Sequence, residues 1–374
     1  MAQGQYRRSL YSRITANTTV ADLLDSIRLP AMRKMFAFVK KHALQMRARA
    51  GHKVFYCNAL NGTSHYNISI NCDMSVSCNC QDDYGEGIIG DFSRDSLKDI
   101  FLGPVAQSIR LRLSQGILPL RTCSRCFDLR TMDKSMAAQG LTPASPAPEG
   151  LMVENTALCN LHCVACNRES IAAIRRKTRM SLPDIRKVAS AIRENKIKKL
   201  YFFKYGEPFL SPTIHDELRI IREQNPDVLI IISTNGAVIE SQQQREAALL
   251  ADQLYFSIHG ISDEILSNYQ RGGSFAKAFT NMREVVRLRN ASGRTTPLIE
   301  WKYVLFNWND RPEMVTTAVS LAKEIGVDAI SFWPTNAPYY GKSLRYYVSR
   351  FFTGDTAKRW GSIREIRFTD STPL

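Results

Sequence analysis

From Leu151 to Pro334, short apolar runs alternate with longer amphipathic ones. The runs 151–156, 199–203, 228–233, 253–258, 298–305 and 328–333 are rich in Leu, Ile, Val and aromatic residues and predict strands. Between them, 168–176, 181–195, 213–224, 240–250, 274–290 and 311–325 repeat apolar positions every three or four residues and predict helices. Such alternation gives repeated βα units and a parallel sheet. Six strands fall short of the eight in a complete barrel. The expected fold class is therefore α/β, a partial (β/α)6 TIM-like barrel preceded by a small cysteine-rich α+β module. The working loops belong at the C-terminal strand ends.

The N-terminal part reads differently. Thr19 is placed to cap a first helix through Leu23, Leu24 and Ile27, and Pro30 starts a second. In that second helix Met32, Met35, Phe36, Val39, Ala43 and Met46 form one apolar stripe, opposite Arg33, Lys34, Lys40, Lys41 and Arg47. The stripe is expected to pack on its own domain, and a membrane surface is the alternative. Residues 54–135 carry Cys57, Cys72, Cys78, Cys80, Cys123 and Cys126, with a hairpin-like stretch from His65 to Ser77 and a helix from Ser96 past Ile109 and Leu113. Residues 136–150, rich in Pro, Ala and Gly, read as a linker. The expected division is a basic helical segment 1–50, a cysteine module 51–135, the linker, the barrel 151–340 and a tail 341–374.

Composition narrows the class. Of 374 residues, 44% are hydrophobic and 23% charged, a globular balance that excludes a wholly disordered chain. No uncharged apolar run nears the ~20 residues that cross a bilayer. Arg7, Arg8 and Arg13 are followed by no apolar signal-peptide core, so the expected location is cytoplasmic, where cysteines serve as metal ligands or reactive thiols before disulfides. The net charge is +15, and residues 1–50 hold ten Lys and Arg against Asp22 and Asp25. That surplus suits an anionic partner or a solvated basic face. The tail interleaves Arg345, Arg350, Arg359, Arg364 and Arg367 with Tyr346, Tyr347, Phe351, Phe352 and Trp360.

The densest chemistry is Cys159-Asn-Leu-His-Cys163-Val-Ala-Cys166, after the first strand of the βα series. A structural zinc site needs four closed ligands. Three local thiols without an obvious fourth suit an iron–sulfur cluster with one iron open to a small molecule. His162 is a competing ligand.

At these residues the chain resembles the radical S-adenosylmethionine enzymes, whose signature is Cys-x3-Cys-x2-Cys. Further matches follow in order: Tyr205-Gly206-Glu207-Pro208, Ser233-Thr234-Asn235-Gly236, Ser257-Ile258-His259-Gly260, Arg271-Gly272-Gly273, Val304-Leu305-Phe306-Asn307 and Phe332-Trp333-Pro334. The resemblance covers about 151–340. It implies a 4Fe–4S cluster on Cys159, Cys163 and Cys166, with S-adenosylmethionine on its open iron. Gly206 and Glu207 would meet the methionine ammonium and Arg271 its carboxylate. Asn235 and Ser257 would meet ribose hydroxyls, and Leu305, Phe332 and Trp333 would line an adenine slot. Tyr205 departs from the family's first Gly. One-electron cleavage would yield a 5′-deoxyadenosyl radical that takes hydrogen from a substrate, fed by an electron donor such as flavodoxin or ferredoxin. His259, Lys204 and Tyr205 are the candidate proton or hydrogen donors, with Glu300 and Lys302 further off.

The cysteine module resembles the SPASM and twitch auxiliary modules of that superfamily, here placed before the barrel. This implies an auxiliary 4Fe–4S cluster on Cys57, Cys78, Cys123 and Cys126, with Cys80 as the alternative to Cys78 and Cys72 spare. Zinc is the competing occupant, since two short Cys hooks suit it as well. The expected substrate is a small molecule, a sugar or glycoconjugate undergoing dehydrogenation, epimerisation or deoxygenation. A peptide is the runner-up. A zinc-containing nucleic-acid binder and a non-catalytic iron–sulfur carrier are the other classes; neither explains the strand-end matches, and no nucleic acid is expected.

Overall fold

The computed structural model describes residues 30–80, 82, 85–145, 147–345 and 365–368. The helix expected over 19–29, the N-terminal arginines and the tail aromatics from Tyr346 to Trp360 lie outside the described residues.

Every strand and helix expected after residue 150 is present within a few residues. Six parallel strands stand in chain order: β6 (Gly150–Val153), β7 (Lys199–Tyr201), β8 (Leu229–Thr234), β9 (Gln253–Ser257), β10 (Leu298–Leu305) and β11 (Ala329–Pro334). Helices α5 (Arg168–Ile174), α6 (Leu182–Glu194), α7 (Ile214–Gln224), α8 (Gln242–Ala248), α9 (Asp263–Ser267), α10 (Phe275–Ala291) and α11 (Pro312–Ile325) fill the crossovers. Helix α6 starts in a capping box formed by Ser181 and Asp184, and α8 in another formed by Ser241 and Gln244. This is a mixed α/β fold with a parallel sheet, as a partial barrel requires.

Strand alternation sorts side chains to two faces. On β10, Trp301 and Tyr303 are fully buried; Trp301 packs on Phe275 and Phe279 of α10, so this parity faces the helices. Lys302 takes the other parity and its Nζ lies over the rings of Trp333 (4.5 Å) and Tyr255 (5.9 Å). These line the helix-free face.

The N-terminal half joins the same sheet. Elements before β6 are α1 (Pro30–Ala50), β1 (Lys53–Cys57), α2 (Asn58–Asn61), β2 (Ser69–Ile70), β3 (Ser75–Ser77), β4 (Ile88–Asp91), α3 (Leu97–Leu102), α4 (Pro104–Ser114) and β5 (Leu129–Asp133). β2 runs parallel to β6, with Ser69 opposite Met152; β3 and β4 extend the sheet antiparallel beyond it. β12 (Glu365–Arg367) closes the other end against β11. The ten strands are ordered β12-β11-β10-β9-β8-β7-β6-β2-β3-β4, while β1 and β5 form a separate pair. The helix expected from Ser96 is two helices: Ser96 caps α3 as expected, but Gly103 and Pro104 break the run.

Two sequence expectations meet a different packing. On α1, Leu44 and Ala48 pack inward, while Val39 and Met46 are 54% and 66% exposed. The 39/43/46 stripe therefore faces solvent, because the helix meets β1 and the Thr122–Arg125 turn through its other side. The 136–150 stretch is stitched down: Glu149 N–H donates to Gly62 O, and a Cβ on Gly150 would lie 1.7 Å from His65 O.

Candidate functional site

The Cys159–Cys166 loop leaves the C-terminal end of β6 and is held by backbone from three other places. Glu207 N–H donates to Leu158 O (2.8 Å), His162 N–H to Arg271 O (2.9 Å), and Val164 N–H to Tyr269 O (3.0 Å). Leu161 N–H points at Cys159 Sγ (3.4 Å), and Asn235 Nδ2 approaches the same sulfur (3.8 Å) while bonding Asn160 Oδ1 (2.9 Å). The loop is thus tied to the segment after β7, to the end of β8 and to the segment after α9.

The three thiols differ in exposure: Cys166 is exposed, the other two half-buried. Burial pushes Cys159 up to about 11, with Glu207 adding to it and Leu161 N–H and Arg168 opposing. Burial also pushes Cys163 up to about 12, reinforced by Cys166 and Cys159. These groups feel one another's charge, so ionising all three without a cation is costly. His162 is turned away from them: its Nδ1 meets Glu169 at 2.7 Å, both exposed.

Gly206 carries the close approach between the β7 end and the thiol loop. A Cβ there would stand 1.9 Å from Thr156 O. Tyr205 in place of the family's first Gly leaves this approach intact. Glu207 is 2% exposed and already has three donors: Phe209 N–H (3.2 Å), Thr234 Oγ1 (2.8 Å) and Asn235 N–H (2.8 Å). Burial still pushes its carboxyl up to about 7, against those hydrogen bonds. Glu207 ties β7 to β8.

The other expected residues fall as follows. Ser257 Oγ meets Ser233 Oγ (3.1 Å) at neighbouring strand ends. Trp333 is on the helix-free face, its Nε1 on Ser331 Oγ (2.7 Å). Leu305 shares the parity of Trp301 and Tyr303 and is 1% exposed, and Phe332 packs on Tyr303; neither joins Trp333. Arg271 is exposed, next to Gly272 at φ +80°. His259 is buried, and its Nδ1 accepts Val304 N–H (3.2 Å); burial, with the Lys302 charge, lowers it to about 3. It is a neutral packing histidine near neutral pH. Lys204 Nζ donates to Asn71 Oδ1 (2.8 Å) and Ser77 Oγ (3.0 Å), joining the end of β7 to β2 and β3. Tyr205 lies beside it, ring centroid 5.8 Å from Nζ.

Two residues were missed by sequence reasoning. Tyr269 is half-buried and packs on Phe306 (centroids 4.6 Å), and its hydroxyl is pushed up by desolvation and by the nearby Cys163 and Cys166. Arg168, two places past Cys166, acts on both Cys159 and Cys163. Neither follows from spacing, since an aromatic 103 residues downstream of Cys166 carries no local signal.

The module's thiols form a second set. Cys57, Cys78, Cys123 and Cys126 line one small cavity with Leu60, Ile109, Leu113 and Leu120. Burial pushes Cys57 up to about 12 and raises Cys78, Cys123 and Cys126 as well; Cys78 also feels the charges of the other three. Four thiols, Cys78 buried and the other three half-buried, in an apolar wall fit a polynuclear cation, whose charge would offset four thiolates. Among the described residues no group of three or more His, Cys, Asp or Glu gathers tightly enough for a single ion. Cys80 is not among the lining residues, and its N–H donates to Asn67 Oδ1. Cys72 stands apart, donating to Lys177 O at 3.1 Å. Tyr66 joins the module to β7: its ring meets Tyr201 at 5.8 Å, and its hydroxyl feels Cys80 and Cys126.

Known proteins match the same region. The model of the Radical SAM superfamily matches residues 153–299. A PqqA peptide cyclase from Streptomyces rochei is 27% identical over 205 residues, 54% of this chain and 52% of that protein. The chain thus spans about half the length of that curated relative. Among solved structures, the radical S-adenosylmethionine methyltransferase TsrM from Kitasatospora setae, with tryptophan and a SAM analog bound, is 15% identical with a TM-score of 0.39, covering 54% of this chain and 39% of that one. Native anSMEcpe with bound AdoMet is 16% identical with a TM-score of 0.37, covering 49% and 51%. The match to the Radical SAM superfamily model runs from the end of β6 to the start of β10 and contains Cys159, Cys163, Cys166 and Gly206, so the likeness falls on the part of the chain that carries the thiol loop.

Proposed function

We propose that this chain is an enzyme that cleaves S-adenosylmethionine reductively and takes hydrogen from a peptide substrate, with an auxiliary cluster in its N-terminal module. The observation that carries the reading is the Cys159–Cys166 loop, held by backbone bonds from Glu207 after β7 and from Tyr269 and Arg271 after α9, and by the Asn235 side chain at the end of β8. A 4Fe–4S cluster bound by Cys159, Cys163 and Cys166 would supply the electron for sulfonium cleavage and an open iron for the methionine end.

This chain's residues then have distinct tasks. Leu161 N–H and Asn235 Nδ2 steady Cys159. Gly206 allows the β7 end to lie against the loop. Glu207, with its three donors, fixes the β7 and β8 ends, so the Gly206 and Asn235 backbone is what faces the methionine end. Arg271 offers a cation beside the loop for a carboxylate. Trp333, Ser257 and Ser233 line the face where the nucleoside would lie. Tyr269, packed on Phe306, stands beside Cys163 and Cys166 and would limit the water that reaches them.

Cys57, Cys78, Cys123 and Cys126 would hold the auxiliary cluster, and Tyr66 joins that module to β7. The relatives named above do not support a sugar or glycoconjugate, and the peptide reading takes its support from the curated relative's name. The electron donor would be a small acidic redox protein such as flavodoxin or ferredoxin.

Anaerobic, iron-loaded protein with dithionite and S-adenosylmethionine should form 5′-deoxyadenosine, and the Cys159→Ala, Cys163→Ala, Cys166→Ala triple variant should form none. Unchanged formation by the triple variant would overturn the assignment.

A further inference from the structure

The ten-stranded sheet ends at β4, and that edge is open among the described residues. Phe92 N–H donates to Met74 O (2.8 Å), which sets the phase of the β3–β4 ladder. With Val76 opposite Gly90, the same phase turns the groups of Gly90 toward β3. Asp91 then points its N–H to the open side, where its carbonyl already accepts from Arg94 and Asp95. A register shift at Val76/Ser77 sets Ile88 and Ile89 against one residue, a bulge that leaves one of them out of the ladder.

A groove of about 860 Å³ runs along this edge. One wall is the α3–α4 corner, with Ile100 and Val105; the other is the C-terminal end of α5 and the residues after it, with Ile174 and Arg176. Val105 is 47% exposed and Ile174 51%, so each bank offers an apolar side chain to an occupant. Arg176 braces the far bank by bonding Asp91 Oδ2 (2.7 Å) and Asp73 O (2.8 Å). Ile100 packs under Gly90, where a Cβ would lie 2.7 Å from it, so the floor is firm. The lining carries both signs of charge, with Arg94, Arg175 and Arg176 beside Asp73, Asp91, Asp95 and Asp99.

We propose that the β4 edge is a peptide-docking site, at which an extended segment of a peptide partner adds as a further strand and places apolar side chains against Val105 and Ile174. Unpaired main-chain groups beside apolar banks are what strand addition uses, the backbone giving affinity and alternate side chains giving selectivity. Mixed charge with no dominant sign fits a polypeptide main chain better than a nucleic acid or an anionic lipid. β4 is only four residues long, so few main-chain bonds form and the banks supply most of the affinity. The ten-stranded sheet carries the docked strand on the same body as the thiol loop. The proposal deepens the peptide reading above and rests on it for the substrate, though not for the site.

The test uses the anaerobically purified full chain and a randomised library of acetylated peptides about twelve residues long. Enriched peptides are measured by fluorescence anisotropy, and amide exchange over 86–92 is followed with and without them. Strand addition predicts about tenfold slower exchange at Asp91 on binding. Val105→Glu, on an exposed first-turn position of α4, should weaken binding about tenfold and leave peptide-free 5′-deoxyadenosine formation unchanged. No enriched peptide, or binding that leaves exchange at 86–92 unaltered, overturns the site. So does protection that grows with protein concentration alone, which would assign the edge to a second copy of this chain. Peptide-free 5′-deoxyadenosine formation separates the two readings: it persists if only the docking site is wrong and is absent if the enzyme reading fails.

Discussion

The two thiol sets are built on opposite plans. The Cys159–Cys166 set comes from one loop, leaves Cys166 exposed, and borrows its rigidity from backbone bonds with Glu207, Arg271 and Tyr269. The cavity set takes Cys57, Cys78 and the Cys123–Cys126 hook from three separate segments and walls them in with leucine and isoleucine. One plan leaves room for a ligand and the other encloses its occupant. An open site does chemistry on something that arrives, whereas a closed one stores charge or braces a fold.

The comparison is broken most sharply by emptying one set at a time. Removing Cys159, Cys163 and Cys166 should lower bound iron by about four per chain and end 5′-deoxyadenosine formation. Replacing Cys57, Cys78, Cys123 and Cys126 by Ala should remove a similar amount of iron but leave peptide-free formation measurable. Iron analysis beside the product assay distinguishes the two, and loss of both clusters in either variant would show the sets to be one unit.

Gly206→Ala comes next. A methyl 1.9 Å from Thr156 O must move backbone, which costs about 3 kcal/mol and should cut 5′-deoxyadenosine formation by about a hundredfold. The equivalent change at Gly116, with nothing within 4 Å, strains only its own φ of +76° and should leave formation unaltered.

The sequence carried the parallel half of the fold because each strand and helix there has its own periodicity and caps. It did not carry the join between halves: Ser69–Ile70 is a two-residue strand with no pattern of its own, fixed by Met152 and Val153 on one side and by Val76 and Ser77 on the other. Nor did it separate the faces of α1, where charged stems at Lys40 and Lys41 are half-buried and Val39 and Met46 are exposed. At the site, motif residues were legible, yet two took tasks other than those their types suggest. Glu207 accepts from Thr234 and Asn235 at the end of β8, and His259 is held by Val304, facts of tertiary packing alone. Tyr269 and Arg168 show the same limit from the other side.

Smaller effects test the covers. Tyr269→Ala should open the loop thiols to solvent and speed air bleaching of that cluster about fivefold, as followed by visible absorbance, with the cavity set unaffected. Glu207 should leave a pH signature. Its folded value, about 7, lies above the ordinary 4.5, so folding takes up a proton between them. Its contribution is therefore full below the ordinary carboxylate value and is lost as pH rises through about 7. Glu207→Gln should flatten that part of a Tm-against-pH curve; an unchanged slope would assign it to another group.

The most direct measurement is iron, zinc and sulfide per chain on anaerobically reconstituted protein, taken alongside reductant-dependent 5′-deoxyadenosine formation. The account predicts about eight irons, matching sulfide and product. Zinc in place of iron in both thiol sets, with no product, would contradict it.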